Sequence, residues 1–205
     1  PEAPRRPAIE ELGRTTSAML RDMRLQVEFL GQATAALFSA IRHPSTIRWR
    51  DVWVVCERAG VDALPIDCLI SFLLGLILAF QAAIPMKQFG AEIFVADLIG
   101  LSMLRELGAL MTAILLAGRT GAAFAAEIGT MRVNQEVDAL TTMGLDPVKF
   151  LVTTRVIAAV LTIPLLTIFA DLVGLLGGAL TMQSFGIPFV TFMHEIESIV
   201  RFQDF

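Results

Sequence analysis

The chain has 205 residues, of which 55% are apolar and 18% charged, and its formal net charge is -4. Because soluble domains carry about 25% charged residues, this composition predicts a membrane protein and argues against an ordinary soluble domain. It also argues against a nucleic-acid partner, since phosphate binding needs basic clusters and the pair Arg5-Arg6 is too small. The chain opens at Pro1 without an initiating Met or a signal-peptide pattern, so we expect that residues before it are missing.

Residues 8–43 predict an amphipathic helix. Apolar side chains recur there at three- and four-residue intervals, and most charged side chains lie on the other face. The segment is too charged to cross a bilayer, so we expect it to lie in the plane of the membrane surface. Trp49 and Trp53 follow it, beside several arginines, and are typical of an interfacial anchor before a membrane span.

Three later segments are predicted to cross the membrane as helices, over about 64–86, 96–128 and 147–182. A hydrocarbon core of about 30 Å takes roughly 20 residues of helix. The middle segment contains charges, but its centre, residues 107–118, is apolar or small throughout.

Residues 183–205 predict an outer loop and the start of a fourth span. Because three spans close a bundle poorly, we expect the sequence to be truncated. The predicted fold class is therefore an all-α transmembrane bundle that forms one domain.

Basic residues predict the orientation. The amino-terminal segment is rich in Arg, and Arg132, Lys149 and Arg155 lie between the second span and the apolar run of the third span, which begins at Val156. The connection between the first and second spans holds only Lys87. The positive-inside rule therefore places the amino terminus and the second connection in the cytoplasm, and the tail after the third span outside.

The second connection predicts a short amphipathic helix over 130–145. Gly144 is placed to end this helix, and Asp146-Pro147 is placed to begin the next one. Such an element is either a docking site for a partner or a surface helix without one, and the pattern leaves both open. Its apolar stripe is Val133, Val137, Leu140 and Met143, with Glu136 and Asp138 away from that stripe.

Ionisable residues inside the predicted spans are functional candidates, because each costs about 2.5–3.5 kcal/mol on insertion scales. Arg105 suits a lipid phosphate, or else it and Glu106 anchor the helix at the outer interface. Arg119 and Glu127 share one helix face and predict an interhelical salt bridge. For Asp171, both Arg119 and a polar backbone group remain open as partners.

Small residues stand four positions apart in the second span, as in the pair Gly121 and Ala125. Helices in lipid associate through close packing, so we expect another helix to approach the second span at Gly121.

No catalytic or cofactor motif is apparent. Cys56 and Cys68 have no Cys or His at ligand spacing, so no metal site is expected. His194-Glu195 begins like a zinc-protease motif, but Ser198 stands where the second His belongs. The chain lacks a G-x-x-x-x-G-K-[ST] loop and a G-x-S-x-G motif, which predicts that it is not an enzyme and that any ATP hydrolysis belongs to another subunit.

Five blocks of sequence together resemble the MlaE (YrbE) permease family. They are LRELGA from Leu104, AGRTGAA from Ala117, AEIGTM from Ala126, EVDAL from Glu136 and MGLDP from Met143. The resemblance implies the membrane subunit of a bacterial ABC transporter that moves phospholipids and helps maintain outer-membrane lipid asymmetry. It further implies an inner-membrane homodimer that works with an ATPase subunit and an MCE-domain protein. Family members have two further membrane helices, and some carry an amino-terminal STAS-like domain.

The resemblance also implies roles for particular residues. Residues 130–147 would form the coupling helix seated on the ATPase, and a lipid cavity would form at the dimer interface. The implied ATPase contacts are Val133, Glu136, Val137, Asp138, Leu140 and Met143. The candidate lipid contacts are Arg105, Glu106, Leu78 and Gln81.

Two other functional classes remain as alternatives. An ion-coupled carrier or channel would use Arg105, Glu106, Glu127 and Asp171 as a charge relay, but it would not need an amphipathic connection. An inert membrane scaffold would need none of these charged residues. A membrane enzyme is the weakest reading, because no pairing of nucleophile and base appears.

Overall fold

The computed structural model describes residues 8–44, 47–91 and 93–199, and this part of the chain is helical without any strand. The all-α fold class is therefore confirmed. Arg5-Arg6 and residues 200–205, the last part of the segment predicted to begin a fourth span, lie outside the described residues. The six helices are α1 (Ala8–Arg42), α2 (Trp49–Gln88), α3 (Phe94–Val133), α4 (Glu136–Thr142), α5 (Val148–Ser184) and α6 (Phe189–Ile199).

Helices α2, α3 and α5 are long and apolar enough to cross a membrane. They contain 40, 40 and 37 residues, so each is roughly 55–60 Å long at 1.5 Å per residue. α2 begins at Trp49, well before the predicted start near residue 64. The prediction followed only the apolar run, whereas a helix satisfies its own backbone and continues past the hydrocarbon into the interface.

Three π-helical turns interrupt these long helices. Two lie in α3, at Met103–Leu107 and Leu116–Thr120, and the third begins α5 at Val148–Val152. A π turn contains an extra residue and redirects the side chains around it, and such turns occur often at functional sites. Arg105, Glu106 and Arg119, which the sequence singles out, all lie on the two π turns of α3.

The bundle is organised around the interface between α2 and α5. A Cβ added to Gly75 would collide with the carbonyl oxygen of Gly174, and one added to Gly177 would collide with that of Phe72. The backbones of the two helices are therefore in direct contact, as small residues permit in membrane helices. The buried face of α2 repeats every four residues and consists mostly of small side chains, at Ala59, Ala63, Asp67, Ser71, Gly75, Ala79 and Ala83.

α3 and α6 complete the interior on one side of this interface. Ile99, Met103 and Phe192 are fully buried, in a cluster to which α2 contributes Ala79 and Ala83. α1, in contrast, is exposed along most of its length, and its packing begins near Ala40. Its location in the plane of the membrane surface stays a prediction.

The α2–α5 contact generates a stability prediction. Gly75→Ala forces a methyl group against the backbone of α5, and overpacking of this kind costs about 1–3 kcal/mol. The midpoint of thermal unfolding of the detergent-purified protein is therefore expected to fall.

Gly118→Ala is the matched control, because nothing lies within 4 Å of a Cβ added to Gly118 in α3. This variant is expected to keep the wild-type midpoint. An equal loss of stability in both variants would contradict the packing described here.

Candidate functional site

The connection between α3 and α5 has different boundaries from those predicted. α3 continues to Val133, Gln135 has a φ of 60°, and α4 covers only Glu136–Thr142. The predicted single helix over 130–145 is thus two helical segments separated by a left-handed residue. Glycine usually occupies such a conformation. Because the sequence has Gln at this position, its residue types do not indicate a break in the helix.

Both predicted caps in this connection are confirmed. Gly144 has a φ of 75°, and the Leu145 N–H donates to the Leu140 carbonyl at 3.0 Å, which is the bond of a Schellman ending. Asp146 Oδ1 accepts a hydrogen bond from the Val148 N–H at 3.0 Å. The start of α5 is thus capped by a side chain, as the Asp-Pro pair predicts.

Two large apolar side chains flank α4 and point away from the bundle. Val133 is 83% exposed and Met143 is 73% exposed. Val137 and Leu140 are half-buried, whereas Glu136 and Asp138 are exposed. The connection therefore presents an apolar surface at the end of the bundle, and the described residues leave that surface uncovered.

Ionic contacts join the helices next to this connection. The Glu127 carboxylate of α3 pairs with Arg155 Nη2 of α5 at 2.9 Å, and Arg155 also donates to the Leu151 carbonyl. Arg119 donates to the Asp62 carbonyl of α2. Arg119 and Glu127 do share a face, since both line one cavity of about 220 Å³. The expected interhelical salt bridge exists, but Arg155 supplies its cation and Arg119 bonds elsewhere.

A second polar cluster lies near the middle of α2, α3 and α5. Thr112 Oγ1 of α3 donates to Asp67 Oδ1 of α2 at 3.1 Å, and both residues are 1% exposed. Asp171 of α5 is 7% exposed and lies against Gly108 of α3, where an added Cβ would collide with its carboxyl group. Its Oδ1 has no hydrogen-bond partner among the described residues, so Arg119 is not its partner.

Sequence reasoning missed Asp67. It stands directly before the uncharged run that begins at Cys68, so the run itself does not indicate that this carboxyl is buried. The signal that identifies it is its place in the four-residue series of small residues on α2, between Ala63 and Ser71. A carboxylate at such a position must be buried when the small face packs.

The candidate lipid contacts do not all share one surface. Arg105, Glu106 and Gln81 are exposed, whereas Leu78 packs against the buried cluster. Gly121 is also exposed, and the nearest atom to an added Cβ is the Leu116 carbonyl oxygen of its own helix at 4.0 Å. No other helix in the described part of the chain covers Gly121.

Together the three span-length helices and the connection define a multi-pass helical membrane protein. A family model described as Permease MlaE matches residues 52–205, so the chain belongs to the MlaE permease family.

Curated relatives agree with this membership. A probable ABC transporter permease protein of Rickettsia felis is 45% identical over 121 residues, which cover 59% of this chain and 47% of that protein. A probable ABC transporter permease protein of Synechocystis is 36% identical over 149 residues, covering 72% and 57%. The intermembrane phospholipid transport system permease protein MlaE of Haemophilus influenzae is 36% identical over 153 residues, covering 74% and 59%. The chain spans about half the length of the curated relatives it matches.

The ion pair between α3 and α5 generates a second prediction. Glu127→Gln leaves the guanidinium of Arg155, whose side chain is 10% exposed, without its carboxylate. Because Glu127 itself is half-exposed, we expect the free energy of unfolding to fall by about 1–3 kcal/mol, which lies between the values for exposed and buried ion pairs. The measurement is the unfolding midpoint of the purified protein.

Asp138→Asn removes one carboxylate from the exposed face of α4 and serves as the control, with an unchanged midpoint expected. A Glu127→Gln protein as stable as the wild type would show that the pair does not hold α3 to α5.

Proposed function

We propose that the chain is the membrane-spanning subunit of an ATP-driven lipid transporter in the bacterial inner membrane. It works with a separate ATPase subunit and an MCE-domain protein, moves phospholipid, and helps maintain the lipid asymmetry of the outer membrane. Membership of the MlaE permease family supports this class of function. The observation that carries the proposal is α4, a short helix with exposed apolar flanks held between two membrane-spanning helices.

α4 is suited to receive force from an ATPase because it is connected to both long helices. Val133 ends α3 directly before it, and the capped start of α5 follows it after a tight turn. The pair of Glu127 and Arg155 ties α3 to α5 a few turns away. A displacement of α4 therefore moves two membrane helices together. The basic residues of this connection support a cytoplasmic location by the positive-inside rule, with the amino terminus on the same side.

The lipid cavity is proposed to lie between two copies of the chain. Arg105 and Glu106 stand exposed on a π turn of α3, where a guanidinium can contact a lipid phosphate through two donors. The exposed small residues around Gly121 lie on the same helix and allow a second copy to approach closely. Gln81 is a further exposed candidate contact.

An ion-coupled carrier receives less support. Its charge relay needs Glu127, Asp171 and the pair Arg105-Glu106 to lie close together. Glu127 instead pairs with Arg155, Asp171 is buried against Gly108, and Arg105 and Glu106 are exposed. The charges are thus divided among three separate environments.

The coupling proposal predicts the effect of a charge on the apolar flank of α4. Val133→Asp is expected to reduce co-purification of the ATPase subunit by at least about tenfold, since losing a central apolar contact costs about 2 kcal/mol or more. The measurement is the ratio of ATPase to permease after affinity purification from membranes.

Val190→Asp is the matched control, because Val190 is 77% exposed at the start of α6, on the predicted outer side. Its ratio is expected to equal that of the wild type. Equal ratios in all three proteins would contradict the assignment of α4 as the coupling helix.

The lipid proposal predicts the effect of removing the Arg105 guanidinium. Arg105→Gln is expected to lower the phospholipid retained by the purified transporter by about tenfold, since hydrogen bonds to charged groups contribute about 1.5–3 kcal/mol. Bound lipid is counted by mass spectrometry per permease.

Arg132→Gln, at the other end of α3, removes the same group from another exposed position and should retain the wild-type amount. An unchanged amount of bound phospholipid in Arg105→Gln would mean that Arg105 only anchors its helix at the interface.

A further inference from the structure

The buried carboxyls in the middle of the bundle have no role in coupling or in the proposed lipid contacts. Asp67 and Asp171 belong to different helices, and each is at least nine-tenths buried. Both contact α3 on one face, Asp67 at Thr112 and Asp171 at Gly108. Residues four apart lie one helical turn from each other, about 5.4 Å. The two carboxyls are therefore neighbours along α3, and they interact electrostatically.

No cation balances this pair within the described residues. Arg155 pairs with Glu127, Arg48 pairs with Asp51, and Arg119 donates to the Asp62 carbonyl. Arg105 lies one turn before Gly108 on α3, and it is exposed. Among the described residues, a thiol and a further acid also lie beside the pair. Cys68 adjoins Asp67, and Glu197 of α6 lines the same groove as Asp171, a cavity of about 430 Å³.

The polar atoms around the pair are also incompletely bonded. Thr112 donates to Asp67, which stabilises its ionised form. Among the described residues, Asp171 Oδ1 has no donor, and the Met103 carbonyl oxygen lies 3.0 Å from the position that a Gly108 Cβ would occupy beside it. Ser71 Oγ, one turn along α2 from Asp67, is fully buried and has no hydrogen-bond partner in the same part of the chain. A hydrogen on the Asp171 carboxyl would supply a donor to this group of oxygen atoms.

We propose that Asp67 and Asp171 form a proton-binding site at the centre of the membrane bundle, with the proton held on Asp171. Two adjacent carboxylates in a low-dielectric interior do not both ionise, because each disfavours the charge on the other. A protonated Asp171 is a hydrogen-bond donor and removes one of the two buried charges. The ligand is a proton, and among the described residues the coupling helix contributes no contact to the site.

Infrared spectroscopy of the complete transporter in lipid nanodiscs at neutral pH tests this assignment. The C=O stretching band of a protonated carboxylic acid is expected in the wild-type protein, and its Asp171 component is expected to be lost in Asp171→Asn. The component should persist in Asp67→Asn at a shifted frequency, because the remaining acid is still buried. Asp22→Asn, an exposed position on α1, should leave the spectrum unchanged.

A second measurement needs no variant and therefore does not depend on variant folding. Dicyclohexylcarbodiimide adds to protonated carboxyls in apolar surroundings, and peptide mass spectrometry of the treated wild-type transporter should find the adduct on Asp171. Two results would overturn the proposal. In the first, the infrared spectra of the wild type and Asp171→Asn coincide, and no adduct forms on Asp171. In the second, the band of the protonated acid appears only when Na⁺ is replaced by choline. The first result means that both carboxyls are ionised and balanced by a cation from elsewhere in the transporter. The second means that Na⁺, and not a proton, occupies the site.

Discussion

The close contact between α2 and α5 is the constraint on which the rest of the bundle depends. The backbone oxygens of Phe72 and Gly174 occupy the space that side chains would take at Gly177 and Gly75. Association of helices in lipid relies on such packing, because the surrounding lipid is as apolar as the side chains. The four-residue series of small residues on α2 is thereby buried in the interior. Large side chains on the other side of α2, including Leu69, Leu73 and Ile77, are exposed.

This contact also determines which polar groups are buried. Asp67 and Ser71 belong to the small-residue series, so packing α2 on α5 carries both into the interior. α3 then packs against both helices. Its Gly108 leaves room for the Asp171 carboxyl, and its Thr112 donates a hydrogen bond to Asp67. Arg105, Glu106 and Gly121 of α3 remain exposed. The bundle thus separates an interior acid pair from an outward surface that is suited to lipid and to a second copy.

Local features of this fold could be predicted from sequence, because they follow from residue type at one place in the chain. The apolar runs of the three long helices, the Gly144 ending and the Asp146 cap all belong to this class. Features that depend on which helices meet were not predictable. Only the relative placement of α2, α3 and α5 shows three such features. These are the pairing of Glu127 with Arg155, the burial of Asp67 and the inward packing of Leu78. The break at Gln135 was not predictable either, because a non-glycine residue adopts the left-handed conformation there.

The central claim is that α4 and its exposed flanks contact an ATPase, and site-specific photo-crosslinking in intact membranes measures this contact directly. A photoreactive amino acid is placed at Met143, which is 73% exposed beside α4, and in a separate protein at Val190, which is 77% exposed on α6. The account predicts a covalent adduct between the Met143 position and the ATPase subunit, and none from the Val190 position. Labelling of the Met143 position by a membrane-impermeant reagent added from the outside, without any ATPase adduct, would contradict it.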